Sequence, residues 1–131
     1  MSKNIFGKIV HGLGKGTQFG FPTINIELID KELQIENGVY AVTVTVNNQS
    51  HNGMLYVGTR PTLNLHERSI EIHILDFKED IYHQQIFFHI LHKIRDEMKF
   101  NSIEELIQQL HRDRNMVYDY LSSICFNSSI L

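Results

Sequence analysis

The apolar residues of this chain change period once. Up to about residue 92 they recur at every second position, in short runs broken by Gly, Pro, Asn and charged clusters, and from Ser102 onward they recur at every third or fourth. Period two puts alternate side chains on opposite faces of a strand, whereas the longer spacing lines one side of a helix. The clearest strand is 69–75, where Ile70, Ile72 and Ile74 alternate with Glu71 and His73. Further strands are read at 5–10, 23–28, 39–46, 54–57 and 86–91, with turns at Asn37-Gly38, at Asn47-Asn48 and at 78–80. Residues 58–64 (GTRPTLN) read as a loop, because Pro61 lacks a donor and pushes Arg60 out of helical geometry. Six short antiparallel strands lose their edges by closing into a small barrel; a sandwich is the alternative.

Ser102 and Glu105 then form a capping box after a loop at 95–100. Ile103, Leu106, Ile107, Leu110, Val117, Leu121 and Ile124 follow at helical spacing, predicting one long helix over about 102–124 that lies on the barrel, either continuous or broken near 112–115. Residues 126–131 read as a frayed end.

Composition narrows the function classes. A chain of 131 residues with 42% apolar and 21% charged residues is expected to be one soluble domain, the barrel at about 5–92 and the helix after it. A formal net charge of -3 gives no support to nucleic-acid or anionic-membrane partners. The lone Cys125 cannot form an internal disulfide, and no stretch resembles a signal peptide or a membrane span, so a cytoplasmic chain is expected. Among the eight histidines there is no His-x-His pair, and His89 and His92, three apart on a strand, are expected on opposite faces. Zinc is therefore not expected, and the absence of a G-x-S-x-G elbow leaves hydrolase chemistry without an anchor.

The stretch GLGKGTQFGFPTIN (12–25) places Gly12, Gly14, Gly16 and Gly20 around Lys15. Such a loop can turn several backbone N–H groups towards one anion, which suits a phosphate. It is neither a P-loop nor a Rossmann fingerprint: Lys15 is followed by Gly16, and Pro22 leads into a strand instead of a helix. On that strand Thr23 and Asn25 share a face, two neutral oxygens that suit a Mg²⁺ arriving with nucleotide phosphates. The competing reading is a glycine-rich hairpin with a solvated strand face. Glu71, opposite the isoleucine face, is a candidate general base, or a solvated surface carboxylate. The 95–100 segment brings Arg95, Glu97 and Phe100 together, a set that suits a planar polar heterocycle if it faces Glu71 and is otherwise an ordinary connection.

Taken in order, GLGKGTQFGFPTIN, GVY (38–40), VGTRPT (57–62), EIHILDF-KEDIY (71–82) and IRDEMKF (94–100) resemble the riboflavin kinase domain, over about Gly7 to Asp113. The resemblance implies a six-stranded antiparallel Greek-key barrel with a C-terminal helix, and ATP-dependent phosphorylation of the riboflavin 5′-hydroxyl to FMN. It puts Gly12, Gly14, Lys15 and Gly16 on the nucleotide loop, Thr23 and Asn25 on the Mg²⁺ and phosphates, and Glu71 on the catalytic base. Tyr82 falls on the adenine wall, and Arg95, Glu97 and Phe100 on the flavin-side loop. No prosthetic group beyond substrate or product flavin is implied, and the expected state is a monomer. Many bacterial members carry an upstream FAD synthetase domain that this chain lacks room for.

Three positions depart from the family pattern. Ile24 stands for an Ala, Thr17 for a frequent basic residue, and Tyr56 for a common Asn. Thr17 leaves open a non-catalytic flavin-binding regulatory module. An RNA-binding barrel would need exposed aromatics interleaved with basic residues along the strands, which are scarce here.

Overall fold

The computed structural model describes residues 4–10, 20–62, 65–76 and 84–130, with side chains described outside 59–68 and 125–130. Six strands, β1 (Ile5–Val10), β2 (Ile24–Leu28), β3 (Gly38–Val46), β4 (Gln49–Thr62), β5 (Leu65–Ile74) and β6 (Gln85–Arg95), precede one helix, α1 (Ile103–Ile130). The strands form a closed barrel in the order β1-β2-β5-β4-β3-β6, with neighbours antiparallel throughout. Strands β3, β4 and β5 follow one another as neighbours and β6 returns beside β3, which is a Greek key. Closure removes the unpaired edges, and the sandwich alternative falls away.

Inward-facing positions supply a hydrophobic interior. Ile9, Val42, Val44, Leu55, Ile72 and Phe88 are fully enclosed there. The β3–β4 hairpin turns at Asn47 and Asn48, with φ of 51° and 65°, the left-handed pair that a two-residue turn between twisted strands requires. At the other end of β3, Gly38 has φ 153°, and a Cβ there would lie 2.7 Å from the Arg95 carbonyl oxygen. Glycine lets β3 pass close to the end of β6.

Several expectations are corrected. Residues 58–62 continue β4, and Pro61 is paired with His66. The pairing of β4 with β3 ends at Gly38↔Val57, so beyond it β4 is paired with β5 alone and the missing proline N–H breaks no ladder bond on the other side. β6 runs past residue 92 to Arg95 and carries two register shifts against β3. The shift that skips Leu91 pairs His89 with Thr43 and His92 with Ala41, residues on one face of β3. His89 and His92 therefore share the outer face, because a bulge inserts one residue and restores the phase.

The helix is unbroken through 112–115. Its Ser102 hydroxyl accepts from the Glu105 N–H at 3.2 Å, and the Glu105 carboxylate accepts from the Asn101 N–H at 3.1 Å, so the capping box closes one residue further out than usual. Leu106, Leu110, Asp113, Val117 and Leu121 face the outside of the barrel, on β3, β4 and β6. There they meet Phe21, Ala41, Met54 and Tyr56, and enclosing Leu110 and Val117 contributes about 1.5–3 kcal/mol each. Ile103, expected on that stripe, is 57% exposed at the helix start. No helix among the described residues is long and apolar enough to cross a membrane.

Candidate active site

Glu71 projects from the outer face of β5 because its neighbours Ile70 and Ile72 point into the barrel. Period two puts Ser69 on the same face, and the Ser69 hydroxyl donates to Glu71 Oε2 at 2.9 Å. The Thr23 hydroxyl, just ahead of β2, donates to Glu71 Oε1 at 2.7 Å. Register carries the third partner: Asn25 lies directly opposite Glu71 across the β2–β5 pair. Both carboxylate oxygens thus accept from neutral hydroxyls.

From Glu71 a cavity of about 200 Å³ opens between the outer face of the barrel, the 95–100 segment and the first turns of α1. Tyr56, Arg95, Glu97, Phe100 and Leu110 line it together with Glu71. Residues remote in sequence are brought together by two features. Gly58 leaves room for Glu97, whose Oε2 would lie 2.6 Å from any added Cβ, and Asn37 donates to Glu97 Oε1 at 3.3 Å. Lys93 bridges Glu36 at 3.0 Å and Asp96 at 2.6 Å, tying the same segment down at the rim.

Arg95 is the last residue of β6, and not part of the following loop. Its Nε and Nη2 donate to the two carboxylate oxygens of Asp113, each at 2.8 Å, and its Nη1 to the Asp96 carbonyl at 3.1 Å. Asp113 is fully buried on α1 and also accepts from Gln109 Nε2 at 2.9 Å. The guanidinium lies 5.9 Å from the Phe100 ring centre. Arg95 is thereby committed to holding α1 against the barrel, beside Phe100. Tyr56 sits beside this pair, opposite Glu71 in the β4–β5 register. Burial, and then the Asp113 carboxylate, push its phenol well above the usual range, so it stays protonated.

On the other side of Glu71, Phe21 is buried at 2% exposure against α1. His73, on the same outward face as Glu71, is buried too, and its Nδ1–H donates to the Pro22 carbonyl at 2.8 Å. Burial is the main reason its pKa falls below the ordinary histidine value.

Of the residues singled out by sequence, Glu71, Thr23, Asn25, Arg95, Glu97 and Phe100 thus converge. Gly12, Gly14, Lys15, Gly16 and Tyr82 lie outside the described residues, as does the turn at 78–80; the side chain of Cys125 is likewise not among those described. Sequence reading passed over Ser69, Asp113 and the wall position of Tyr56. Ser69 was accessible from its spacing of two to Glu71, and Asp113 from its place between Leu110 and Val117 on the helical stripe. For a metal, no three His, Cys, Asp or Glu side chains converge among the described residues. The hydroxyl of Thr23, the amide of Asn25 and the carboxylate beside them form a hard-oxygen set that fits Mg²⁺ completed by ligand oxygens.

The model of the flavokinase family, described as riboflavin kinase, matches residues 2–121. The bifunctional riboflavin kinase/FMN adenylyltransferase of Haemophilus influenzae is 40% identical over 83% of this chain and 35% of its own length. A crystal structure of riboflavin kinase from Trypanosoma brucei superposes with a TM-score of 0.66 at 27% identity, over 92% of this chain and 80% of that one. A Streptococcus pneumoniae structure described as a macrolide-efflux protein superposes with a TM-score of 0.80 at 35% identity, over 88% of this chain and 38% of that one. The chain spans half or less of the length of the curated relatives it matches.

Proposed function

The chain belongs to the riboflavin kinase family, and from that premise we propose that it transfers the γ-phosphoryl group of ATP to the 5′-hydroxyl of riboflavin, giving FMN and ADP. The observation that carries this reading is the Glu71 carboxylate, oriented by the Thr23 and Ser69 hydroxyls at the mouth of a pocket lined by Glu97 and Phe100. The isoalloxazine ring lies against Phe100 and Leu110, with Glu97 at its polar edge, and the ribityl chain runs towards Glu71. Arg95 shapes this pocket through Asp113 and through its contact with Phe100.

In the reaction Glu71 accepts the 5′-hydroxyl proton while that oxygen bonds to the γ-phosphorus. The bond from the γ-phosphorus to the β–γ bridging oxygen breaks, and ADP leaves with the electron pair. Thr23 and Asn25 would hold Mg²⁺ arriving with the nucleotide. When bound, the ion offsets negative charge on the β and γ phosphates. Gly12, Gly14, Lys15 and Gly16 cradle the phosphates and Tyr82 walls the adenine. Holding the two reacting oxygens in line is where most of the acceleration of such transfers arises.

The domain acts as a monomeric cytoplasmic unit, with flavin and adenine nucleotides as its small-molecule partners. Its bifunctional relatives support an association with FAD synthesis. Incubation with riboflavin and Mg-ATP, followed by chromatographic separation of the flavins, tests the reading: FMN and ADP appear in equal amounts. Riboflavin bound without any FMN would instead identify the regulatory module.

A further inference from the structure

Thr23 has to sit within reach of both Glu71 and the nucleotide, yet it lies ahead of β2, just outside the ladder. What fixes it is the pair of residues before it. Gly20 has φ 83°, a left-handed bend that glycine adopts freely, and the chain then runs through Phe21 into Pro22, whose ring restricts both residues. Phe21 is pinned on three sides. Arg114 of α1 holds its guanidinium 4.9 Å from the ring centre, His111 meets the ring edge-on at 5.0 Å and 78°, and His73 of β5 does so at 5.4 Å and 62°. Arg114 Nη2 also donates to His111 Nδ1 at 3.3 Å, so the two helix residues grip the ring together. The Pro22 carbonyl is tied to His73, and the Thr23 hydroxyl to Glu71.

Resting on the kinase reading above, we infer that Arg114 is a positioning residue for the phosphate side of the site: by clamping Phe21 against the barrel it sets where the Thr23 oxygen stands for Mg²⁺ and nucleotide. Arg114 touches no reacting atom. Its neighbour Asp113 anchors Arg95 on the flavin side, so one turn of α1 supports the two sides through separate contacts. Loss of the Arg114 clamp therefore acts on nucleotide and leaves the flavin pocket in place. Arg114 is half-buried and on a helix, so a methionine there keeps helix propensity and removes the cation together with its donor to His111.

The test compares wild type, Arg114→Met and Arg114→Lys. In Arg114→Met the KM for Mg-ATP rises by about tenfold or more, riboflavin affinity by fluorescence quenching stays within about twofold, and Arg114→Lys recovers most of the loss. An unchanged KM for Mg-ATP, or an equal loss of riboflavin affinity, overturns the inference. A second readout is independent of turnover. In a sample labelled at threonine methyl carbons, the Thr23 methyl resonance moves in Arg114→Met and returns in Arg114→Lys. A Thr23 methyl that stays in place overturns the positioning role; one that moves in a protein making no FMN keeps the role and removes the kinase reading.

Discussion

The inside of the barrel and the seam between its outer face and α1 are both shielded from water, yet they are built differently. Inside, Ile9, Val42, Val44, Leu55, Ile72 and Phe88 pack together in one cluster of hydrophobic side chains. In the seam, Leu110, Val117, Met54 and Phe21 pack beside an ion pair whose carboxylate is fully buried, a buried histidine and a phenol held protonated. The interior needs volume and shape alone, which aliphatic residues supply at no electrostatic cost. The seam fixes particular side chains in particular places, and the candidate site opens from it. In this molecule the barrel interior secures the fold, and the polar groups embedded in the seam secure the geometry of Glu71, Arg95 and Thr23.

The largest stability effect should come from breaking the seam at one partner. Asp113→Ala leaves the Arg95 guanidinium without its carboxylate, and urea unfolding should show a loss of about 3–5 kcal/mol. Replacing both members, Arg95→Met with Asp113→Leu, should restore most of that stability while riboflavin binding stays impaired. If the double variant binds riboflavin normally, the seam contributes packing alone. Ile72→Ala, the matching change inside the barrel, should destabilise by about 2–5 kcal/mol and leave the KM for riboflavin unchanged in whatever protein folds.

A smaller effect separates the regions by pH. His73 is held neutral by burial, against the opposing pulls of Pro22 and Asp76 and with Arg114 adding to the downward shift. Because its folded pKa lies below the ordinary 6.5, the unfolded chain takes up the proton first as pH falls. Its contribution to stability is therefore complete above about pH 6.5 and declines below it, towards the folded pKa. Urea midpoints from pH 8 to 5 should fall less steeply in His73→Gln than in wild type. Smallest of all, Ser102→Ala removes the helix cap and should cost about 1 kcal/mol with no change in activity.

The same contrast explains what could be read from the sequence. The interior follows a period of two, so Ile70, Ile72 and Ile74 announced their strand and, by exclusion, the outward Glu71. Thr23, Asn25 and Glu71 stood out as candidates, but their meeting depends on the β2–β5 register, which spans 46 positions between Asn25 and its partner Glu71 and leaves no local mark. The seam breaks the simple patterns. Asp113 sits at an apolar-stripe position, and in the charged run 112–114 it left a helix break open until its partner Arg95 was known. Pro61 read as a loop because nothing local shows that β3 has already parted from β4. The bulge that skips Leu91 turned two histidines expected on opposite faces onto one.

The measurement that bears most directly on this account is the single-turnover rate of FMN formation in Glu71→Gln, set beside riboflavin binding by the same protein. Removing the proton acceptor while keeping the side chain's shape should slow transfer by about 10²- to 10⁴-fold, with flavin affinity nearly unchanged. Transfer at the wild-type rate would contradict it, because the hydroxyls of Thr23 and Ser69 would then be orienting a carboxylate that the reaction does not use.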